Sequence, residues 1–472
     1  MNRVPPLTSS ESRFMLPQAR SMGKSMQKAA PSLPRVLGFW SIVSIVVGGV
    51  IGSGIFLVPK DIAAAVGSPL LMMAVWVVGG LLSLFGALTF AEMGAAYPQA
   101  GGMYVYLREA YGPLLSFLFG WTLFLVIDSG AIATLAVAFS SKYLPYFFPI
   151  SPAGIKLIAI GLIAYLVVIN ILGTMAGAML QNILTIIKFV ALAGVCVAVF
   201  LFAPGHPGHF VNPAPQKFSL GLLSAFGVGL IASLWAYKGW ESATYSAGET
   251  KRPERNIPLG LVAGTLIVIG IYIVANLAYL YAFPASEIAR SDRIASQAMN
   301  LAIGPLGAMI IAVVILLSIT GAANQNFLCS PRVYFAMARD GVFFKQVAAV
   351  HPAYLTPHVS ILALGAWSVI LVLFFGTFER LFTYVIFGQW IFFGLTGAAV
   401  MVLRVKKPGL PRPYKTFGYP VVPVIFILSA AFISLNALLG SPRDTLIGLL
   451  IIFLGLPIYF LFTLLRSKPK PA

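Results

Sequence analysis

The sequence predicts an all-α integral membrane protein with about twelve transmembrane helices, and three observations carry that prediction. Of its 472 residues, 59% are hydrophobic and only 9% charged, with a mean hydropathy of +0.93, a balance that could not cover a soluble core with polar surface. Apolar runs of about twenty residues, enough to cross ~30 Å of hydrocarbon, recur along the whole chain with short polar joints. The alternating pattern of about ten residues that marks an outer-membrane barrel strand is absent.

In chain order, residues 1–37 are polar, basic and rich in Pro and Ser, without the apolar core of a signal peptide, and read as a disordered cytoplasmic tail. A single transmembrane domain follows over 38–465. Its spans are expected at about 39–65, 69–97, 114–139, 153–172, 177–203, 220–246, 259–283, 305–338, 358–376, 381–403, 421–440 and 444–465. Residues 466–472 form a short second tail. The segment 284–304 is polar and long enough to carry a short helical cap outside the membrane.

With both termini inside, 21 of the 31 Lys and Arg residues fall at cytoplasmic positions and eight outside, leaving Lys188 and Lys238 within spans. That is the positive-inside asymmetry, and it accounts for the net charge of +18 without nucleic acid. Cys196 and Cys329 lie in apolar spans, so no extracellular disulfide is indicated. Four histidines with no Cys or carboxylate at ligand spacing give no metal site, and His206 and His209 simply flank Pro207-Gly208 in an outer loop. No phosphate-binding Gly-Lys-Ser/Thr motif and no soluble domain are present, so neither an ATP-driven pump, nor an enzyme, nor a cofactor is implied.

Span 1 is interrupted at its middle. Gly48, Gly49, Gly52 and Gly54 fall within seven positions, and each costs a helix interior about 1 kcal/mol relative to alanine, so the helix is expected to break near Gly52-Ser53-Gly54. Backbone freed inside a bilayer survives only beside a cavity or ligand. The second half-helix would aim free N–H groups at that point and could hold a carboxylate without a basic side chain. The alternative is a glycine face for close helix packing.

If the first ten spans form two halves of five, over 38–203 and 220–403, span 6 corresponds to span 1 and should break too, the pointer to an inverted-repeat transporter. Ser233-Leu234-Trp235-Ala236-Tyr237-Lys238-Gly239-Trp240-Glu241 places a glycine and three aromatics beside two charges at that depth. An ordinary amphipathic stretch near the interface is the other reading. Spans 11 and 12, over 421–465, stand outside the repeat.

Ile51-Gly52-Ser53-Gly54-Ile55-Phe56, Pro98-Gln99-Ala100-Gly101-Gly102-Met103-Tyr104-Val105-Tyr106, Lys188, Trp235-Ala236-Tyr237-x-Gly239-Trp240, Gly248-Glu249, Arg255-Asn256-Ile257-Pro258 and the stretch Ser330 to Gly341 stand in one order over most of the chain. In these the chain resembles the amino acid–polyamine–organocation superfamily, most closely the L-type amino-acid transporter group and its bacterial relatives. The resemblance implies a leucine-transporter-type fold and an α-amino-acid substrate held by its backbone groups. The carboxylate would meet Ser53 and the N–H groups at Gly54, and the ammonium the carbonyls at Val50 and Trp235. The implied site thus runs over Val50, Ile51, Gly52, Ser53, Gly54, Ser233, Leu234, Trp235 and Lys238. Trp235 takes the position of the family's aromatic lid, although plain core packing would also explain it.

Charged and amide groups inside spans default to functional candidates. Lys188 matches a family lysine between spans 5 and 1, where sodium-coupled relatives of the same fold hold an ion; its ammonium would bridge broken-helix carbonyls and make sodium unnecessary. A snorkelling lysine is the alternative. Lys238 departs from the family, which usually has Gly, Asp or another small or acidic residue there. It either pairs internally with Glu241, three positions on, as favoured here, or contacts substrate. Asp128 pairs with a lysine, relays protons or reads a substrate side chain. Asn324-Gln325-Asn326 in span 8 either lines the pocket or bonds between helices. Glu92, Arg332 and Arg339 read as inner-gate or interface charges.

The function expected is a sodium-independent secondary transporter of α-amino acids in the plasma membrane, working by alternating access. The alternatives are a proton-coupled amino-acid or polyamine symporter of the same superfamily and an amino-acid sensor with little flux. Eukaryotic members of the group bind a single-span heavy chain through a cysteine between spans 3 and 4; residues 140–154 contain no Cys, so no disulfide-linked partner is expected.

Overall fold

A computed structural model describes residues 33–211, 219–375, 378–440 and 442–466, in which every regular element is helical. The expected tails, apart from 33–37 and 466, lie outside the described residues. Ten helices, and an eleventh span if the bent pair at the start is counted as one, are long and apolar enough to cross a membrane. A shorter apolar helix, His358–Phe375, completes the expected twelve.

Span 1 is two half-helices, 1a (Phe39–Val50) and 1b (Gly54–Val66), bent by 44° across the break. Span 2 is Pro69–Ala96, after which a short helix, Met103–Tyr111, runs along the face that carries the chain termini. Span 3 runs from Pro113 to Tyr146 with π-helical turns at Leu123–Ile127 and Phe139–Tyr143. Spans 4 and 5 are Pro152–Ile171 and Thr174–Phe202.

Span 6 again has two parts, 6a (Leu220–Ala236) and a 3-10 run 6b (Trp240–Glu249). Span 7, Pro253–Ala282, starts a turn and a half before the expected 259 because Pro253 supplies the N-terminal turn, and Pro258 is carried inside the helix. The expected cap is two helices, Ala285–Ile288 and Ile294–Ile303. Span 8 is Pro305–Cys329, continued as Pro331–Arg339, and spans 9 to 12 are His358–Phe375, Phe378–Lys406, Val421–Gly440 and Pro442–Arg466.

Spans 3 and 8 are mostly buried, whereas 11 and 12 present most of their surface outward. Span 1a packs tightly on span 7, where Gly260 and Gly264 face Ile42 and Val46 with no room for a side chain. The interrupted spans therefore sit inside the bundle, where lipid does not reach their freed backbone groups.

The terminal face is tied by buried charges. Arg332 Nε donates to Glu249 Oε2 at 2.5 Å, and Thr174 Oγ1 donates to Glu249 Oε1 at 2.7 Å. Glu92 accepts from Arg404 at 2.6 and 2.9 Å, from the Thr416 N–H at 2.8 Å, and lies 3.3 Å from Arg412. The N–H groups of Val36 and Leu37 both reach the Glu249 carbonyl at 2.9 Å, pinning the start of the domain beneath span 6b.

Candidate functional site

Span 1a ends at Val50, and Ile51 leaves helical geometry with ψ 84°, so Ser53, Gly54 and Ile55 open half-helix 1b. The first N–H groups of a helix have no partner within it, and no acceptor in the described chain meets these three. The Ser53 hydroxyl is also buried without a partner. Ser53 and Gly54 border a cavity of about 40 Å³ whose walls also include Gly49, Val50, Gly52, Trp235, Gly239 and Gln325.

Gly54 is not there for an unusual backbone angle. A Cβ at Gly54 would stand 2.7 Å from Ala236 Cα, so the residue is small because 6a ends against it. Close packing and an open helix start, posed as alternatives on sequence, coexist at this crossing. Gly239 has both constraints: its φ is +123°, and a Cβ would come within 2.9 Å of the Gly49 carbonyl carbon.

Tyr272, fully buried in span 7, joins the two breaks: its hydroxyl lies 2.9 Å from the Val50 carbonyl and 3.1 Å from that of Ala236. The carbonyls expected to meet an ammonium are thus already engaged. Val50 accepts from Gly52 N–H and Tyr272, and Trp235 accepts from the N–H groups of Tyr237 and Lys238, so an ammonium would share them.

Lys188, with no exposed surface, extends its ammonium into the crook of span 1. Nζ donates to the carbonyls of Gly48 and Ile51, each at 2.6 Å, and to that of Ser318 at 3.2 Å. The Ser318 hydroxyl bonds the Ile51 and Gly52 carbonyls at 3.0 and 3.2 Å. One fixed cation and one hydroxyl satisfy the frayed end of 1a, chemistry that a bound metal cation could equally perform.

The charged neighbours pair otherwise than expected. Lys238 Nζ meets Asp128 Oδ1 at 3.5 Å, while Asp128 Oδ2 accepts from Ser330 Oγ at 2.5 Å. Glu241 accepts from Gln389 Nε2 at 2.5 Å and from the Gly239 N–H at 3.0 Å. The internal Lys238–Glu241 pair is therefore replaced: the turn at Gly239 takes the two residues off a common helical face, leaving Lys238 opposite span 3 and Glu241 opposite span 10.

Four further assignments change. Ile51 contributes its carbonyl to Lys188 and is not in the cavity wall. Ser233 faces span 2, against Gly79, with its hydroxyl on the Leu230 carbonyl at 2.9 Å. Leu234 lines a separate small space with Trp240, Gln389 and Trp390. Asn324 bonds Gly177 O at 3.1 Å, Gln181 Oε1 at 2.9 Å and Asn170 Nδ2 at 2.9 Å, tying spans 4, 5 and 8; its neighbours Gln325 and Asn326 reach the cavity. At about 100° per residue, three consecutive amides cannot face one way. Val50, Gly52, Ser53, Gly54, Trp235 and Lys238 do line the cavity, and Ala131 and Leu135 of span 3 join them. Nothing in the sequence singled out those two, since small and aliphatic residues in a span read as core.

Comparison with known proteins agrees with this architecture. The family model for amino acid permeases matches residues 37–462. The serine/threonine exchanger SteT of Bacillus subtilis (strain 168) is 33% identical over 433 residues, covering 91% of this chain and 97% of the relative. The human b(0,+)-type amino acid transporter 1 is 33% identical over 460 residues, 95% of this chain and 92% of the relative. The human cystine/glutamate transporter is 30% identical over 432 residues, 91% and 85% respectively. A match spanning nearly every helix, with both interrupted spans around the cavity, places the chain in the amino acid permease family, as a multi-pass transporter of amino acids.

Proposed function

We propose that this chain is a sodium-independent exchanger of α-amino acids in the plasma membrane, with both termini cytoplasmic, alternating access to a site at the crossing of spans 1 and 6. One observation carries the reading: the unpartnered Ser53 hydroxyl and the open N–H groups of 1b border a cavity whose other wall is the break in span 6. A substrate carboxylate would accept from Ser53 and Gly54, and its ammonium would lie at the negative ends of 1a and 6a. Trp235, in the wall of both the cavity and the neighbouring aromatic space, is the lid.

Lys188 supports sodium independence, since it holds the Gly48, Ile51 and Ser318 carbonyls that an ion would otherwise bridge. The polyamine alternative is weakened because Asp128 and Glu241 are already engaged within the protein. Exchange is favoured by the likeness to the serine/threonine exchanger of Bacillus subtilis. Cys196 and Cys329 are both buried, in keeping with a chain that needs no disulfide-linked partner.

The test is uptake of radiolabelled L-amino acids into liposomes holding the purified chain. Uptake dependent on internal amino acid is expected. Flux into empty liposomes driven by an imposed pH gradient would replace exchange with proton symport, and binding without flux would make the protein a sensor.

A further inference from the structure

The cavity wall contains no Asp or Glu, and Lys238 is its one charged residue among the described residues. Its side chain keeps 13% of its surface open, whereas its partner Asp128 keeps 1% and lies behind it. Asp128 is further held by the Ser330 hydroxyl, and the next carboxylate, Glu241, is engaged by Gln389 and the Gly239 N–H, one on each oxygen. An ammonium has three donors, and Asp128 uses one of them, at a long 3.5 Å. Lys238 lines both this cavity and the neighbouring aromatic space, so a hydrogen-bond donor whose charge is already balanced by Asp128 stands at their boundary. The remaining polar wall, Ser53, Gln325 and Asn326, carries no charge.

Resting on the exchanger reading, we infer that the Lys238–Asp128 pair is the side-chain subsite, and that it selects short α-amino acids with an uncharged hydrogen-bond acceptor, a hydroxyl or an amide. A side-chain hydroxyl oxygen can accept from Nζ without disturbing the ion pair. A methyl in its place leaves the donor desolvated and unpaired, which is why sites built around a polar contact discriminate strongly against the analogue lacking it. A cationic side chain meets like charge with no free carboxylate to balance it. An anionic one adds a second negative charge to a pair already neutral, so asparagine is preferred to aspartate. Ser330, whose hydroxyl bonds Asp128 and which is not in the cavity wall, acts as a positioning residue by fixing the carboxylate beside the lysine.

The experiment is competition for exchange by the full chain in liposomes, using the near-isosteric pairs threonine against valine and asparagine against aspartate, with 2,4-diaminobutyrate as the short cation. The wild type is expected to prefer threonine over valine, and asparagine over aspartate, by at least tenfold, and to ignore diaminobutyrate. In Lys238→Met with Asp128→Asn the threonine-to-valine ratio, read at whatever rate remains, falls to within threefold of one. Lys238→Met alone exposes the Asp128 carboxylate and gains competition by diaminobutyrate. Should the variants fail to fold, ligand-induced shifts in the wild-type melting temperature rank the same five compounds. Exchange with no threonine preference, or a ratio untouched by the double change, would overturn this inference alone. A wild type that exchanges no amino acid would overturn the exchanger reading and this inference together.

Discussion

Individual residues at the crossing are constrained by distance more than by backbone angle. Gly54→Val must push against Ala236, and overpacking of this kind costs about 1–3 kcal/mol, so the variant is expected to lose substrate binding by equilibrium titration while remaining monodisperse. Near-normal uptake by that variant would remove the carboxylate from half-helix 1b. Tyr272→Phe removes a hydroxyl from between two carbonyls, a loss of about 1 kcal/mol, and should slow exchange several-fold with little change in which amino acids compete. Residues of this scale were unevenly legible in the sequence. Glycine clustering marked the break in span 1, and a lysine flanked by two apolar turns marked Lys188. Tyr272 gave no signal, because an aromatic in an apolar run reads as core until the rotation of span 7 is known. Rotation likewise separated Asn324 from Gln325, and a left-handed turn at Gly239 redirected Lys238 from Glu241 to Asp128.

At the scale of elements, the helix order and the two interruptions followed from hydropathy length and glycine placement, whereas the ties between elements did not, since ion pairs join residues far apart in sequence. Glu249 on 6b and Arg332 on span 8 are both fully buried, and with Thr174 of span 5 they bind three elements at the terminal face. Breaking one half of a buried pair typically costs about 3–5 kcal/mol, more than replacing both. Glu249→Gln should therefore lower the melting midpoint further than Glu249→Gln with Arg332→Met, and added salt should not narrow the gap. The exposed pair Lys60–Asp292 on the opposite face is the contrast. Asp292→Asn should shift stability by less than about 1 kcal/mol, and high salt should abolish even that. Equal sensitivity of the two pairs to salt would mean that the terminal face is wet and not a closed seal.

For the whole molecule, composition excluded the soluble class, the lack of an alternating strand pattern excluded a barrel, and loop charge gave an orientation, because all three follow from the bilayer as solvent and not from packing detail. The site was legible only in outline: which helices break can be read from residues, but which neighbours close around the break depends on helix rotations that no local pattern records. The central claim is that a protein cation, Lys188, stands where the frayed end of span 1 would otherwise require a bound one. Removing it leaves the Gly48 carbonyl without a donor and the Ile51 carbonyl with the Ser318 hydroxyl alone in a dry site, where an unpaired buried polar group costs about 1–3 kcal/mol, so Lys188→Ala should lose transport. The most direct measurement is the initial rate of amino-acid uptake into preloaded liposomes as external sodium replaces choline at fixed pH and zero potential. The account predicts a flat wild-type rate across the whole sodium range. A rate that climbs steeply and saturates with sodium would show that an ion is bound during transport and that Lys188 does not take its place.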